Sequence, residues 1–304
     1  MAHDQRGLRV APTALIVVPQ VLVLGDALLD VQATPAQPMR PGADVPAAIR
    51  LEPGGQGANL AVRLARRGVS VRLRCALGTD PAGDLVRSAL ARDGVTLDAV
   101  EASATGTVVV LVDGRGQRTM LSQRVPLLGA PLAATDAAWL VVSGYVLTEP
   151  NVSDLRTHRW PERRAVVGCA LDEAQVEAWR SALRMLAPGL LVLNADEANA
   201  LSDAAADPAV ALADAFDAIV VVTDADGARA AVAGSTVRVG HEPVAALDTT
   251  GAGDAFAAAL IAALAGMSWP PAAEALEPAL AEALSAARAV TQVAGAQARV
   301  AGEQ

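Results

Sequence analysis

The sequence predicts an α/β protein: a three-layer α/β/α sandwich with a mostly parallel central sheet, plus a small β-sheet lid. Three observations predict it. Short apolar runs bounded by Gly or Asp alternate with Ala/Leu/Arg-rich helical patterns, the signature of buried strands in a sheet covered on both faces. Two segments break that rhythm: 31–52, rich in Pro and without helical period, and 105–122, which reads as a hairpin around Asp113-Gly114-Arg115-Gly116. A complete α/β unit separates these two in sequence, so they are expected to meet in space as a separate small sheet.

Taken in order, residues 1–19 read as an N-terminal tail. Pro19, Gln20, Asp26 and Asp30 interrupt the apolar stretch there, and no run reaches the ~18 residues of a membrane span. A cytoplasmic protein with no membrane partner is expected. "VLVLG" at 21–25 is the first buried strand, opening one domain over 20–304. "GANLAVRLARRG" (57–68) follows as a helix, "VRLRCALG" (71–78) as a strand and "PAGDLVRSALARDG" (81–94) as a helix. Later strands are "AAWLVVSG", "RAVVGCA", "GLLVLNADE" and "AIVVVTDA", and the Ala-rich final third suits long, closely packed helices.

The totals exclude several classes. The chain has 304 residues, 53% hydrophobic, with a formal net charge of −9. That supports a sizeable core and leaves no basic excess for wrapping nucleic acid. Cys75 and Cys169 lie far apart in apolar runs, and His3, His158 and His241 are scattered. Reduced core cysteines are expected, and no zinc site.

Ligands of open α/β sheets gather at the carboxyl ends of strands. Four polar or glycine-rich groups fall there: 25–30, 54–59, 194–197 and 248–254. Their composition suits phosphoryl transfer, which needs donors for the moving phosphoryl group, a metal and a group to deprotonate the attacking hydroxyl. The amides of Gly251, Ala252 and Gly253 at a helix N-terminus could receive an anion. Asp254 in that helix's first turn would repel phosphate unless it faces an acceptor alcohol.

"DTTGAGDAF" (248–256), "PGGQGANLAVRLARRG" (53–68) and "NADE" (194–197) together resemble the signature segments of the ribokinase-like (PfkB-type) carbohydrate kinases, over about residues 20–298. The resemblance implies a ribokinase-like fold using ATP and Mg2+, with K+ in some relatives. It implies Asp254 as catalytic base, with Gly251, Ala252 and Gly253 as its anion hole. Asp30, Gly54, Gly55 and Asn59 match sugar-binding positions. Asn194 and Glu197 match a pair near the nucleotide phosphates, Glu197 holding Mg2+ through water. Thr223 and Gly227 fall in the strand-end loop along ATP, and Asp248 at a monovalent-cation position. Asn194 and Glu197 also have a plain alternative, since N-x-x-E is a helix-capping pattern.

Departures from the family pattern are visible too. The 223–227 loop is one residue short, Arg299 stands where potassium-activated relatives carry a small polar residue, and Leu28 and Gln56 replace residues usual in ribose kinases. An arginine at 299 could replace the cation. The chain has seven aromatic residues, none before Trp139, so no ring is expected in an acceptor pocket built from the N-terminal half and the lid, and a nucleoside acceptor is disfavoured. The expected activity is ATP-dependent phosphorylation of a primary hydroxyl of a pentose, ketohexose or sugar acid. A nucleoside kinase of the same fold, or a catalytically silent sugar- or nucleotide-sensing protein, stands as the alternative. A homodimer through the lid is a further expectation.

Overall fold

The computed structural model describes residues 21–113, 118–129, 135–150, 152–240, 247–293 and 295–300. The expected tail at 1–19 and the hairpin tip at 114–116 lie outside the described residues. The chain runs β1 (Val21–Leu24), β2 (Leu28–Pro35), β3 (Ala47–Gly54), α1 (Gln56–Ala65), β4 (Val71–Gly78), α2 (Pro81–Arg92), β5 (Thr96–Ala102), β6 (Gly106–Val112) and β7 (Arg118–Gln123). It continues with β8 (Trp139–Ser143), β9 (Arg163–Val167), α3 (Val176–Leu186), β10 (Leu190–Asn194), α4 (Ala195–Leu201), α5 (Pro208–Phe216) and β11 (Ile219–Asp224). It ends with β12 (Gly227–Val232), β13 (Ser235–Gly240), α6 (Ala252–Ala265) and α7 (Ala273–Thr291).

Nine strands form the large sheet in the order β13-β12-β11-β10-β9-β8-β1-β4-β5. Pairing is parallel from β11 to β5, and β12 and β13 add an antiparallel edge. The two-residue pattern of the strands divides the core. Val21 and Val23 pack with α1, α6 and α7 on one face, while Leu22 and Leu24 pack with α3, α4 and α5 on the other. Each fully buried Val or Leu contributes about 1.5–3 kcal/mol. Cys75 and Cys169 are free thiols buried in these layers.

The rhythm-breaking segments do meet. β3-β2-β6-β7 form a separate four-stranded sheet, with β2 parallel to β6 and antiparallel to β3. The Pro-rich stretch between β2 and β3 joins two eight-residue strands, which its weak β pattern did not suggest in sequence. The small sheet stands over the carboxyl ends of β1 and β8, facing the N-termini of α1 and α6.

Candidate active site

The helix α6 is apolar almost all round, so its flanks are buried between α1 and α7 and its N-terminus is the end left for chemistry. Gly251 caps it in the left-handed conformation, φ 75°. A Cβ there would come within 3.0 Å of the Ala296 backbone, so only glycine fits. Gly253 faces open space. The N–H of Ala252 donates to the Thr249 carbonyl at 3.3 Å. Of the three amides expected to form the anion hole, that of Ala252 is engaged in the turn.

Asp254 points from the first turn of α6 toward α1. Asn59 Nδ2 donates to its Oδ2 at 2.8 Å, and Gln297 Nε2 donates to Asn59 Oδ1 at 3.0 Å. Burial pushes the Asp254 carboxyl up to about 6, the Asn59 hydrogen bond pulls it back, the charge of Asp26 raises it further and Arg63 lowers it. The buried Arg63 reaches the Ala296 carbonyl at 2.7 Å, and Arg66 reaches the Gln297 carbonyl at 2.8 Å. Two guanidiniums, from α1 and from its C-cap, therefore hold the 296–297 loop behind the Asn59–Asp254 pair.

A cavity of about 220 Å³ lies between this helix end and the small sheet. Asp30, Gly55, Asn59 and Asp254 line it, with Glu52, Gln56, Arg118, Arg124, Tyr145 and Asp248. Gly54 contributes by its lack of a side chain, since a Cβ there would sit 2.2 Å from Asp30 Oδ2. Gly55 adopts φ +96°, and a Cβ on it would meet the Asp26 carbonyl at 2.7 Å. Asp26 secures the turn by accepting from Gly57 N–H at 3.2 Å and pairing with Arg124. Burial raises Asp30 to about 6, helped by the charges of Asp26 and Glu52.

On the other side of Asp254, a second cavity is lined by Gly253, Asp254, Asn194, Glu197 and Thr223. A third continues from it along Thr223, Gly227, Ala252, Gly253 and Phe256 to Leu284 and Arg288. Asn194 and Glu197 form a complete capping box: Asn194 Oδ1 accepts from Glu197 N–H at 2.9 Å, and Glu197 Oε2 accepts from Asn194 N–H at 3.0 Å. The plain capping reading is thus realised in the same residues that line the cavity. Burial lifts Glu197 to about 7, and Gly168 leaves room for it, since a Cβ there would fall 1.9 Å from Glu197 Oε2. Among the described residues no cluster of three His, Cys, Asp or Glu could hold a metal by itself. Glu197, one of the two carboxylates lining this cavity, fits a metal held mainly by phosphate and water. The short 223–227 loop is a tight hairpin turn joining β11 to β12, with Gly227 at φ +147°.

Two readings of the sequence change. Arg299 is largely exposed and reaches Asp93 at 3.3 Å. Arg118 of the small sheet pairs with Asp248 instead. Asp248 also accepts from Thr250 N–H at 2.7 Å and Gly295 N–H at 3.1 Å. Burial would raise its carboxyl, but these donors hold it below the ordinary value. The second change concerns rings: Tyr145 lines the first cavity, so the expected absence of an aromatic side chain there is corrected. The Arg124 guanidinium lies 3.4 Å from the centre of its ring and covers one face.

Sequence reasoning missed Glu52, Arg124 and Tyr145 as site residues. Tyr145 had a signal, because it follows the strand end "VVSG" where ligands gather. Gln56 was noticed as a departure; its Oε1 accepts from Ser143 Oγ at 2.6 Å and its Nε2 donates to Gly168 O at 2.6 Å. It thereby ties α1 to the ends of β8 and β9.

Comparison with known proteins agrees with this geometry. The chain is 29% identical to a fructokinase of Klebsiella pneumoniae, covering 91% of this chain and 94% of that protein. Its fold matches the ribokinase of Thermotoga maritima with a TM-score of 0.74 at 22% identity, covering 91% and 94% of the two chains. It matches a fructokinase with bound ATP from Xylella fastidiosa with a TM-score of 0.74 at 21% identity, covering 92% and 94%. The family model described as pfkB family carbohydrate kinase matches residues 18–301, and the chain, a ribokinase-like fold throughout, belongs to that family of carbohydrate kinases.

Proposed function

We propose that this kinase transfers the γ-phosphoryl group of ATP to a primary hydroxyl of a small neutral sugar, with Asp254 as catalytic base. One observation carries the reading: three adjoining cavities meet at the N-terminus of α6, and Asp254 stands on the wall between the first and the second. In this reading the first holds the sugar against Asp30 and Asn59, the second the transferring phosphoryl group, and the third the nucleotide along Thr223 and Gly227. The fructokinase names of relatives support the same class.

The chemistry follows from this chain's own groups. Asp254 accepts the hydroxyl proton as the sugar oxygen attacks the γ-phosphorus, and the bond from that phosphorus to the β–γ bridging oxygen breaks to release ADP. The Gly251 and Gly253 amides receive developing charge. Mg2+, held through water by Glu197, would neutralise phosphate charge when bound. Asp248 is already served by Arg118, Thr250 and Gly295, so we propose turnover without a requirement for K+. Residues 20–304 act as one kinase domain, with the small sheet as a lid that excludes water.

The test is ADP release from Mg-ATP across pentoses, ketohexoses and nucleosides, with and without K+, in wild type and Asp254→Asn. The expected result is turnover on a neutral sugar that falls about 10²–10⁴-fold in the variant, with sugar binding retained. Full turnover in Asp254→Asn removes the base assignment, and ligand-induced stabilisation without any ADP release favours the sensor reading.

A further inference from the structure

Glu52 belongs to no expected motif, yet it shares a cavity wall with the residues that do. It is the register partner of Asp30 across the antiparallel β2–β3 pair, so both side chains rise from the same face of the small sheet, a strand spacing apart. That face is the one lining the first cavity. Among the described residues, no protein group donates a hydrogen bond to either carboxylate. The two guanidiniums lining that cavity are already paired, Arg118 with Asp248 and Arg124 with Asp26. Gly295 closes against Glu52 from below, leaving no room even for a Cβ, which would lie 2.8 Å from its Oε2.

We infer that Glu52 is a specificity-determining residue that, beside Asp30, accepts hydrogen bonds from neighbouring hydroxyls of a neutral sugar and turns sugar acids away. The inference rests on the proposed sugar kinase reading and narrows its acceptor class. Two half-buried carboxylates with unused lone pairs offer acceptors and no donors, which matches O–H groups on adjacent carbons. A bound carboxylate would instead meet two like charges in a partly desolvated site whose two lining arginines are already paired with aspartates. Burial raises the Asp30 carboxyl, the charges of Asp26 and Glu52 raise it further and Arg124 lowers it; hydroxyl donors relieve the repulsion between Asp30 and Glu52, and an anion worsens it.

The experiment compares D-fructose with 2-keto-D-gluconate, the acid that keeps the fructose skeleton and carries a carboxylate at C1. Wild type, Glu52→Gln and Glu52→Ala are measured by ADP release and, separately, by sugar-induced rise in melting temperature without ATP. The wild type is expected to prefer fructose. Both variants are expected to lose about 10–100-fold in kcat/KM for fructose through KM, at nearly constant kcat. Glu52→Gln, which keeps the shape and removes the charge, is expected to narrow the preference against the acid at least tenfold. An unchanged preference, a loss confined to kcat, or a wild type stabilised by the acid and by no neutral sugar of the pentose and ketohexose panel overturns the inference. Neutral sugars that stabilise the protein in a Glu52-dependent way without any ADP release would overturn the kinase reading and leave the specificity assignment standing.

Discussion

As the proposed base, Asp254 needs to be ionised to take a proton and half-desolvated to want one, and its surroundings set that balance. Burial lifts its carboxyl to about 6 while Asn59 and Arg63 restrain it, and Asp30 next to it also stands at about 6. We predict that kcat/KM is flat above neutrality and falls below a pH of about 6, about tenfold or more per unit because two groups lose charge together. An activity limb near 4, the range of ordinary carboxylates, would show that neither group controls turnover. Asp254 stood out in the sequence because an anion in the first turn of a glycine-capped helix needs a reason. Arg63 and Gln297, which work through Ala296 and Asn59, were not, because a buried arginine in a helix pattern reads the same as an exposed one until the helix is packed.

At the level of elements, the small sheet has two unlike faces. The inner face carries Asp30, Gln32, Glu52 and Arg118. The outer face carries a continuous row, Leu51–Val31–Val109–Leu121, aligned by strand register. Leu51 and Leu121 are 54% and 60% exposed, and Ile49 beside them 63%. Such a patch on a small sheet marks an interaction site, and a second copy of the same sheet is the occupant we expect. We predict a dimer by light scattering that Leu51→Glu converts to monomer, with the sugar KM raised because the lid loses its support; a monomeric wild type at micromolar concentration would refute it. The sheet itself was legible as two segments outside the α/β rhythm. Its faces were not, because a one-residue slip exchanges inward and outward side chains, and nothing in the Pro-rich 36–46 stretch fixes the register of β3 against β2.

Over the whole molecule, the site weakens the fold that carries it, and the pH dependence of stability exposes this. Asp30 and Asp254 move from 3.8 to about 6, and Glu197 from 4.5 to about 7. A carboxyl raised by folding binds its proton more tightly in the native state than in the unfolded chain. Its contribution is therefore fully present below about pH 4 and is lost as pH rises through 6 to 7. Asp80 and Asp248, held below their ordinary value, act in the opposite sense, but their effect is complete by about pH 4–5, so the window from 5 to 7.5 is shared by the candidate-site carboxyls and Glu149, which burial also raises. We predict that the melting temperature of the ligand-free protein declines across that window, and that Glu197→Gln raises it at pH 7.5 while leaving it nearly unchanged at pH 5. The substitution keeps a side chain able to cap α4 and removes the charge that burial penalises, so a gain confined to high pH separates electrostatic strain from packing. A variant less stable at both pH values would mean that the capping bond from Asn194 N–H to Glu197 outweighs the burial of its charge. The same substitution should cost turnover, because the carboxylate that destabilises the empty protein is the one proposed to hold Mg2+ through water.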